Sequence, residues 1–279
     1  MVDGDKQEQV VDLYQVPRVH TCVPRYAQYF TNKRCDCVFL LQASFGGMAS
    51  PSRSLPSGFK VALNYCARAS AGKRTGRYIG VPDAGHLEDR HSPTVVTMRD
   101  GRQLGASLAR EGFELREGAA TSCASFFYEQ AHSTKRRAPP LRLIDNFYDE
   151  TTALVKAATG AQRVVAFDYT LRVSGRSELN SLDGLSAAAP VSRVHGDYTH
   201  ASAANRLLAL IDEGTVQLAD GETSETLLGK RWAFCNMWRN VAPEPVQRAP
   251  LAVCAADSVH ESETWAYEMV YPGIIYIYI

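Results

Sequence analysis

The sequence has no excess of charge: Lys plus Arg and Asp plus Glu each number 30 in 279 residues. A chain so balanced has no long-range field to draw in nucleic acid or an anionic membrane. Two local basic clusters, "GKRTGR" at 72–77 and "STKRRAPPLR" at 133–142, sit among Gly, Ser or Pro and read as solvated loops. Long apolar runs are also lacking. "CVFLL" at 37–41 and "IIYIYI" at 274–279 fall well short of the roughly 18 residues that a membrane helix needs. The opening "MVDGDKQEQVVDLY" is acidic and polar and lacks the charged-then-apolar order of a secretory signal, so the expected compartment is the cytoplasm. The seven cysteines are odd in number and scattered, which fits a reducing compartment rather than a disulfide framework. "CDC" at 35–37, with Cys22 upstream, lacks C-x2-C spacing and a second pair, so thiols are expected there rather than zinc. No repeat period is visible.

What is present suits one large domain or two small ones. Residues 1–58 read as an irregular N-terminal segment, since "SFGGMASPSRSLPSGF" at 44–59 is rich in Ser, Gly and Pro. Residues 59–279 read as the ordered domain. "FKVALNYCA" at 59–67 alternates as a strand does, and "PTVVTMRDGR" at 93–102 reads as a strand entering a turn. "LIDNFYDETTALVKAATG" at 143–160 predicts a helix, with Asp145 as N-cap, Gly160 as its stop, and Phe147, Thr151, Leu154, Val155 and Ala158 on one face. The period then changes. "AQRVVAFDYTLRV" at 161–173 is rich in β-branched and aromatic residues and predicts a strand. A Ser/Gly-rich loop follows at 174–189, then a short helix over "ANRLLALIDEG" at 204–214 and strands over "RWAFCNMW" at 231–238 and "LAVC" at 251–254. This pattern predicts an α+β domain built round a β-sandwich or barrel.

The stretch "PVSRVHGDYTH" at 190–200 carries the chemistry. On a strand, residues i and i+2 share a face, so His195 and Asp197 project together with Gly196 between them. An imidazole nitrogen beside a carboxylate can occupy two positions of an octahedral metal, and a distant His would complete the facial triad of non-haem Fe(II) oxygenases. Taken alone the motif is weak, because His-x-Asp is common, and the pair then reads as a surface His beside a strand-end Asp. "GHLEDRH" at 85–91 offers a competing trio, His86, Glu88 and His91, but it lies between Pro82 and Pro93 without a strand pattern and reads as a polar loop. Trp232, Phe234, Asn236 and Trp238 fall on one strand face, where the aromatics read as core.

Three blocks resemble one family: "EGFELREGAATSCASFFYEQ" at 111–130, "FYDETTALVKAATGAQRVVAFDYTLR" at 147–172, and "APVSRVHGDYTHASAANRLLALI" at 189–211 with "RWAFCNMWRNV" and "PVQRAPLAVCAADSV" behind it. The family is the CmcJ/AsaB-like hydroxylase/desaturase group, which includes the fungal gibberellin desaturase, and the resemblance covers about residues 59–278. It implies a double-stranded β-helix (jelly-roll) core with flanking helices, and an oxidoreductase that uses Fe(II), 2-oxoglutarate and O2 on a small secondary metabolite. Carried over position by position, it makes His195 and Asp197 metal ligands. It makes the face of Asn236 and Trp238, with Arg239 beside it, a wall for cosubstrate or substrate, and so Asn236 and Arg239 candidates for binding the cofactor.

The family's second iron-binding His lies in a late "PHTAFDD"-like motif, followed by an Arg suited to the far carboxylate of 2-oxoglutarate. Neither pattern occurs here. His260 is the only His after His200, and Arg248 is the last Arg. The expectation is therefore a C-terminally incomplete jelly roll that turns over 2-oxoglutarate below a normal rate as written. The alternative is a non-catalytic or vestigial relative that acts as a binding protein. A nucleic-acid module is excluded by the absence of a basic face with interleaved aromatics.

Overall fold

The computed structural model describes residues 26–29, 37–42, 58–116, 121–132, 140–173, 187–246, 248–259, 263–272 and 274–278. Cys22, Cys35, His260, residues 133–139 of the second basic cluster and residues 174–186 of the Ser/Gly-rich loop lie outside the described residues. In chain order the first strands are β1 (Tyr26–Tyr29), β2 (Cys37–Gln42), β3 (Phe59–Cys66), β4 (Arg74–Tyr78), β5 (Leu87–Glu88), β6 (His91–Asp100) and β7 (Phe113–Arg116). Then come α1 (Ala124–His132), α2 (Leu141–Thr159), β8 (Leu171–Arg172), β9 (Ala187–Ala188), α3 (His200–Asp212) and α4 (Ser224–Leu228). The described chain finishes with β10 (Phe234–Arg239), β11 (Ala252–Cys254), β12 (Tyr267–Tyr271) and β13 (Ile274–Tyr278).

The strands form sheets in the orders β11-β1-β6-β3, β10-β2-β7, β13-β12-β4-β5 and β8-β9, none of them closed on itself. The architecture is a mixture of strands and a few helices. Two strands, β1 and β2, fall inside residues 1–58, where the sequence reads as irregular; each is flanked on both sides by strands from beyond residue 58. The basic cluster at 72–77 likewise contains most of β4 rather than a loop, and Arg74 pairs with Glu268 at 3.1 Å.

Helix α2 arises from an apolar face at helical spacing: Phe147, Thr151 and Val155 are its buried residues. It begins one turn before the predicted Asp145 cap. Pro140 takes the N-cap position at φ −57°, a value its ring already fixes. Gly160 ends it at φ 70°, donating its N–H to the Lys156 carbonyl at 2.9 Å. The strand predicted at 161–173 is reduced to the two residues of β8. Val164, Val165, Phe167 and Tyr169 of that stretch pack into three different apolar clusters by side-chain contact, without a partner strand over 161–170. High β-propensity here reports fit to a half-buried surface rather than a ladder.

Strand β10 divides the domain. Phe234 enters the cluster of α3 and α4 with Leu207 and Leu210, and Trp238 packs on Phe113 and Leu251. On its other face Cys235 and the fully buried Met237 meet Leu154, Val155 and Ala158 of α2. Burial of that kind contributes on the order of 1.5–3 kcal/mol per large side chain. Among the described residues no helix is long and apolar enough to cross a membrane.

Gly76 sits at φ 156° where β4 lies against β12, and a Cβ there would stand inside contact distance of the Glu268 carbonyl oxygen. At Gly160 a Cβ would meet nothing, so only the left-handed φ penalises a side chain. Gly76→Ala is therefore expected to cost roughly 2–3 kcal/mol of stability and Gly160→Ala about 1 kcal/mol. Chemical denaturation of both variants checks the order; equal losses would contradict the close approach of β4 to β12.

Candidate functional site

The segment carrying His195 has little sheet of its own. One parallel bridge, Arg193 opposite Asn64, joins it to β3. The Val194 N–H donates to the Asn64 carbonyl at 2.9 Å, and the Asn64 side-chain amide donates to the Ser192 carbonyl at 3.2 Å. Val194 packs on Tyr65, Val96 and Met98. In an extended chain this turns its neighbours Arg193 and His195 to the opposite side.

His195 Nδ1 lies 2.8 Å from the Arg193 carbonyl oxygen. A carbonyl can only accept, so Nδ1 carries the proton of that hydrogen bond. The Nε2 atom then faces Asp197 Oδ1 at 3.2 Å. A lone pair and a carboxylate that close repel each other unless a proton or a cation sits with them, so the pair is suited to hold one. Gly196 between them is buried and interposes no side chain. The side chains of His195 and Asp197 are 28% and 15% exposed, so solutes can reach them. Asp197 Oδ2 accepts a long hydrogen bond, 3.4 Å, from the Nδ2 of Asn236, which is buried on β10. His195, Asp197 and Asn236 thus come together from two distant parts of the chain.

The wall behind them is aromatic. Tyr198 stacks on Phe234 with centroids 4.8 Å apart, a contact worth about 0.5–1.5 kcal/mol beyond its area. Burial foremost, then the Asp197 charge, pushes the Tyr198 phenol up, so it remains neutral and packs as an aromatic. Thr199 caps α3 next in the chain: its Oγ1 accepts from the Ser202 N–H at 2.9 Å, while Ser202 Oγ accepts from the Thr199 N–H at 2.8 Å. Arg206 of α3 braces this corner, pairing with Asp168 at 3.6 Å and Glu213 at 3.0 Å over the Phe167 ring.

Arg239 leaves β10 on the other side. Its buried guanidinium lies 3.6 Å from Glu150, 3.3 Å from Thr151 Oγ1 and over the Phe147 ring, all on α2. Strand alternation thus separates it from Asn236. The trio in "GHLEDRH" disperses. Glu88 accepts from the Ser70 N–H and hydroxyl, whereas His91 Nδ1 sits 3.1 Å from Asp89. Leu87–Glu88 of this stretch form β5 and His91 begins β6, while its other residues lie outside strands, as the loop reading expects. Cys66 and Cys123 are buried free thiols, and burial pushes the Cys235 thiol up to about 12.

The donors fit a divalent cation such as Fe(II) at two points, an imidazole nitrogen and a carboxylate oxygen in the mixed set that non-haem iron uses. Among the described residues no group of three or more His, Cys, Asp or Glu side chains is placed to hold a metal. Sequence reasoning missed Asn64 and Asp89, which fasten this segment. Their distance along the chain left no local signal, although Arg193 stood within the motif itself.

The model of a family described as "Oxidoreductase/YMDC permease-like domain" (YDMC) matches residues 63–277. An uncharacterized protein in the dcmA 3' region of Methylophilus leisingeri is 26% identical over 170 residues, 54% of this chain and 72% of that protein. The hydroxylase/desaturase efuI of Hormonema carpetanum is 25% identical over 226 residues, 77% of this chain and 68% of its own length. The alpha-ketoglutarate-dependent dioxygenase tstK of Talaromyces stipitatus is 27% identical over 128 residues, 44% of this chain and 41% of its own. No solved structure matches.

The Arg239 contacts give the α2 side of β10 a pH signature. Burial raises the Glu150 carboxyl, but hydrogen bonds from the Ser122 and Thr121 hydroxyls and the Ser122 N–H, with the Arg239 charge, outweigh it and hold the group below its ordinary value. A carboxyl depressed by folding adds stability above its unfolded value of about 4.5, and that share is lost as pH falls through the folded value. Melting temperatures of wild type and Glu150→Gln should therefore differ most near neutrality and converge below pH 4.5. A constant gap down to pH 3 would contradict it.

Proposed function

We propose, for a chain that belongs to the Oxidoreductase/YMDC permease-like domain family, that it is an oxidoreductase of the hydroxylase/desaturase type acting on a small molecule, with Fe(II) and 2-oxoglutarate. The observation that carries the reading is the apposition of His195 Nε2 and Asp197 Oδ1 at 3.2 Å, with the far side of the imidazole already fixed. Two relatives named as a hydroxylase/desaturase and an alpha-ketoglutarate-dependent dioxygenase support it. In this reading the open sheets belong to a double-stranded β-helix core, and β10 is one of its site-bearing strands.

His195 and Asp197 would hold the Fe(II), which supplies, with 2-oxoglutarate and O2, the oxidising power to remove hydrogen from an unactivated carbon. The protein's own part is orientation. The Arg193 carbonyl turns the imidazole so that Nε2 faces the site, and the Asn236 amide holds Asp197 Oδ2 so that Oδ1 faces the same way. Gly196 lets the chain pass without filling the space between them. Tyr198 and Phe234 shield one flank from water. Asn236 is the residue proposed to meet the cosubstrate, as its amide lies at the pair. Arg239 serves it from behind, by fixing β10 against α2.

The test is succinate release from 2-oxoglutarate by purified protein supplied with Fe(II) and ascorbate. Succinate formation that falls about 100-fold or more in Asp197→Ala is expected, since losing an outer partner alone costs roughly 10–100-fold and Asp197 would itself be a ligand. No succinate from a protein that still binds metal through His195 and Asp197 would replace catalysis with the binding-protein reading. Succinate undiminished in Asp197→Ala would place the chemistry elsewhere.

A further inference from the structure

We propose that Asp89 is a positioning residue for the His195–Asp197 pair and acts on it through Arg193. The inference rests on the metal reading of that pair and extends it to a residue 106 positions upstream of His195. It gives a role to the "GHLEDRH" stretch, which did not furnish a metal site.

Asp89 lies in the short link between β5 and β6. Its carboxylate is a meeting point for three elements. The Tyr267 hydroxyl on β12 donates to Oδ1 at 2.6 Å, His91 Nδ1 on β6 lies 3.1 Å from the same oxygen, and Arg193 Nη1 lies 3.4 Å from Oδ2. Arg193 Nη1 is also 3.5 Å from the Tyr267 hydroxyl. The Arg193 and Asp89 side chains are 19% and 32% exposed, so the contact is partly shielded from water and salt. Burial first, then the hydrogen bond to Asp89 and its charge, pushes the Tyr267 phenol up, so it stays a donor.

The backbone explains why this contact matters. The Arg193 carbonyl sets the His195 ring, yet the segment bearing it has one β-bridge, at Arg193 itself. The peptide after Arg193 is held at one edge only, by the Val194 N–H on the Asn64 carbonyl at 2.9 Å, and its carbonyl can still tilt about that bond. Holding the far end of the Arg193 side chain adds a further fixed point, on the side of the backbone away from Val194, and opposes that tilt. The chain of contacts runs from the Asp89 carboxylate to the Arg193 guanidinium, along Arg193 to its carbonyl, and from there to His195 Nδ1. A carbonyl beyond a metal-ligating imidazole is the kind of outer partner whose loss costs roughly 10–100-fold in metal affinity.

The experiment uses the full chain with Mn(II) as probe, its affinity read by electron paramagnetic resonance, alongside the Nδ1 proton of His195 observed by nitrogen-edited NMR in metal-free protein. Asp89→Asn keeps the shape and removes the charge. It should weaken Mn(II) binding about 10–100-fold and let the Nδ1 proton exchange with water. Arg193→Met should do the same, and the double variant should be no worse than the more damaging single one, because both break one line of contacts. Additive losses, or Asp89→Asn within twofold of wild type with its Nδ1 proton protected, would overturn the proposal. Tyr267→Phe keeps every charge, removes one donor to Asp89 and guards against a folding defect. It should move both readouts in the same direction, and no movement counts against the clamp. Wild type that binds no Mn(II) would contradict the metal reading alone, and the Nδ1 proton would then decide the clamp by itself.

Discussion

Asn64 fastens a stretch of chain that would otherwise have no sheet to belong to, and the candidate site takes its position from that fastening. Its carbonyl accepts from Val194 and its side chain reaches Ser192, so three consecutive residues are tied to β3 by one asparagine. Val194 goes into the core between β3 and β6, and the alternation of an extended chain then turns His195 outward beside Asp197. Substituting Asn64 would remove the side-chain bond to the exposed Ser192 carbonyl and leave the bond to Val194 in place, a loss of about 0.5–1.5 kcal/mol.

The second constraint is β10, whose two faces do different work. One presents Phe234, Asn236 and Trp238, so that a single polar side chain sits between two apolar ones and meets Asp197. The other presents Met237 and Arg239 to α2, where Glu150 and Phe147 receive the guanidinium. A buried guanidinium costs several kcal/mol to desolvate. Its contacts with Glu150, Thr151 and the Phe147 face offset that cost, and they bind the helix to the strand that carries the site.

The sequence pattern resolves the elements but not their seams. Helix α2 is legible because Phe147, Thr151 and Val155 recur at its period and Gly160 stops it. His195 and Asp197 are legible as neighbours because an i, i+2 pair shares a face in any extended chain, whether or not a ladder forms. The stretch 161–173 misleads for the complementary reason. Its branched and aromatic residues are chosen for three apolar clusters and need no partner strand there. Arg239 stands close to Asn236 in sequence, yet an odd offset places it across the strand. Asn64 and Asp89 are brought to the site by pairing of β3 and β6 and by the fold of β12, relations between remote segments that no local pattern encodes.

The central claim is that one cation is held between His195 Nε2 and Asp197. It is tested most directly by anomalous X-ray diffraction from crystals of the full chain soaked in Mn(II). The account predicts a peak at manganese absorption wavelengths in contact with both side chains, and its loss in His195→Ala crystals soaked in the same way. A peak elsewhere in the molecule, or no peak beside a well-ordered His195–Asp197 pair that remains in direct contact, would contradict it.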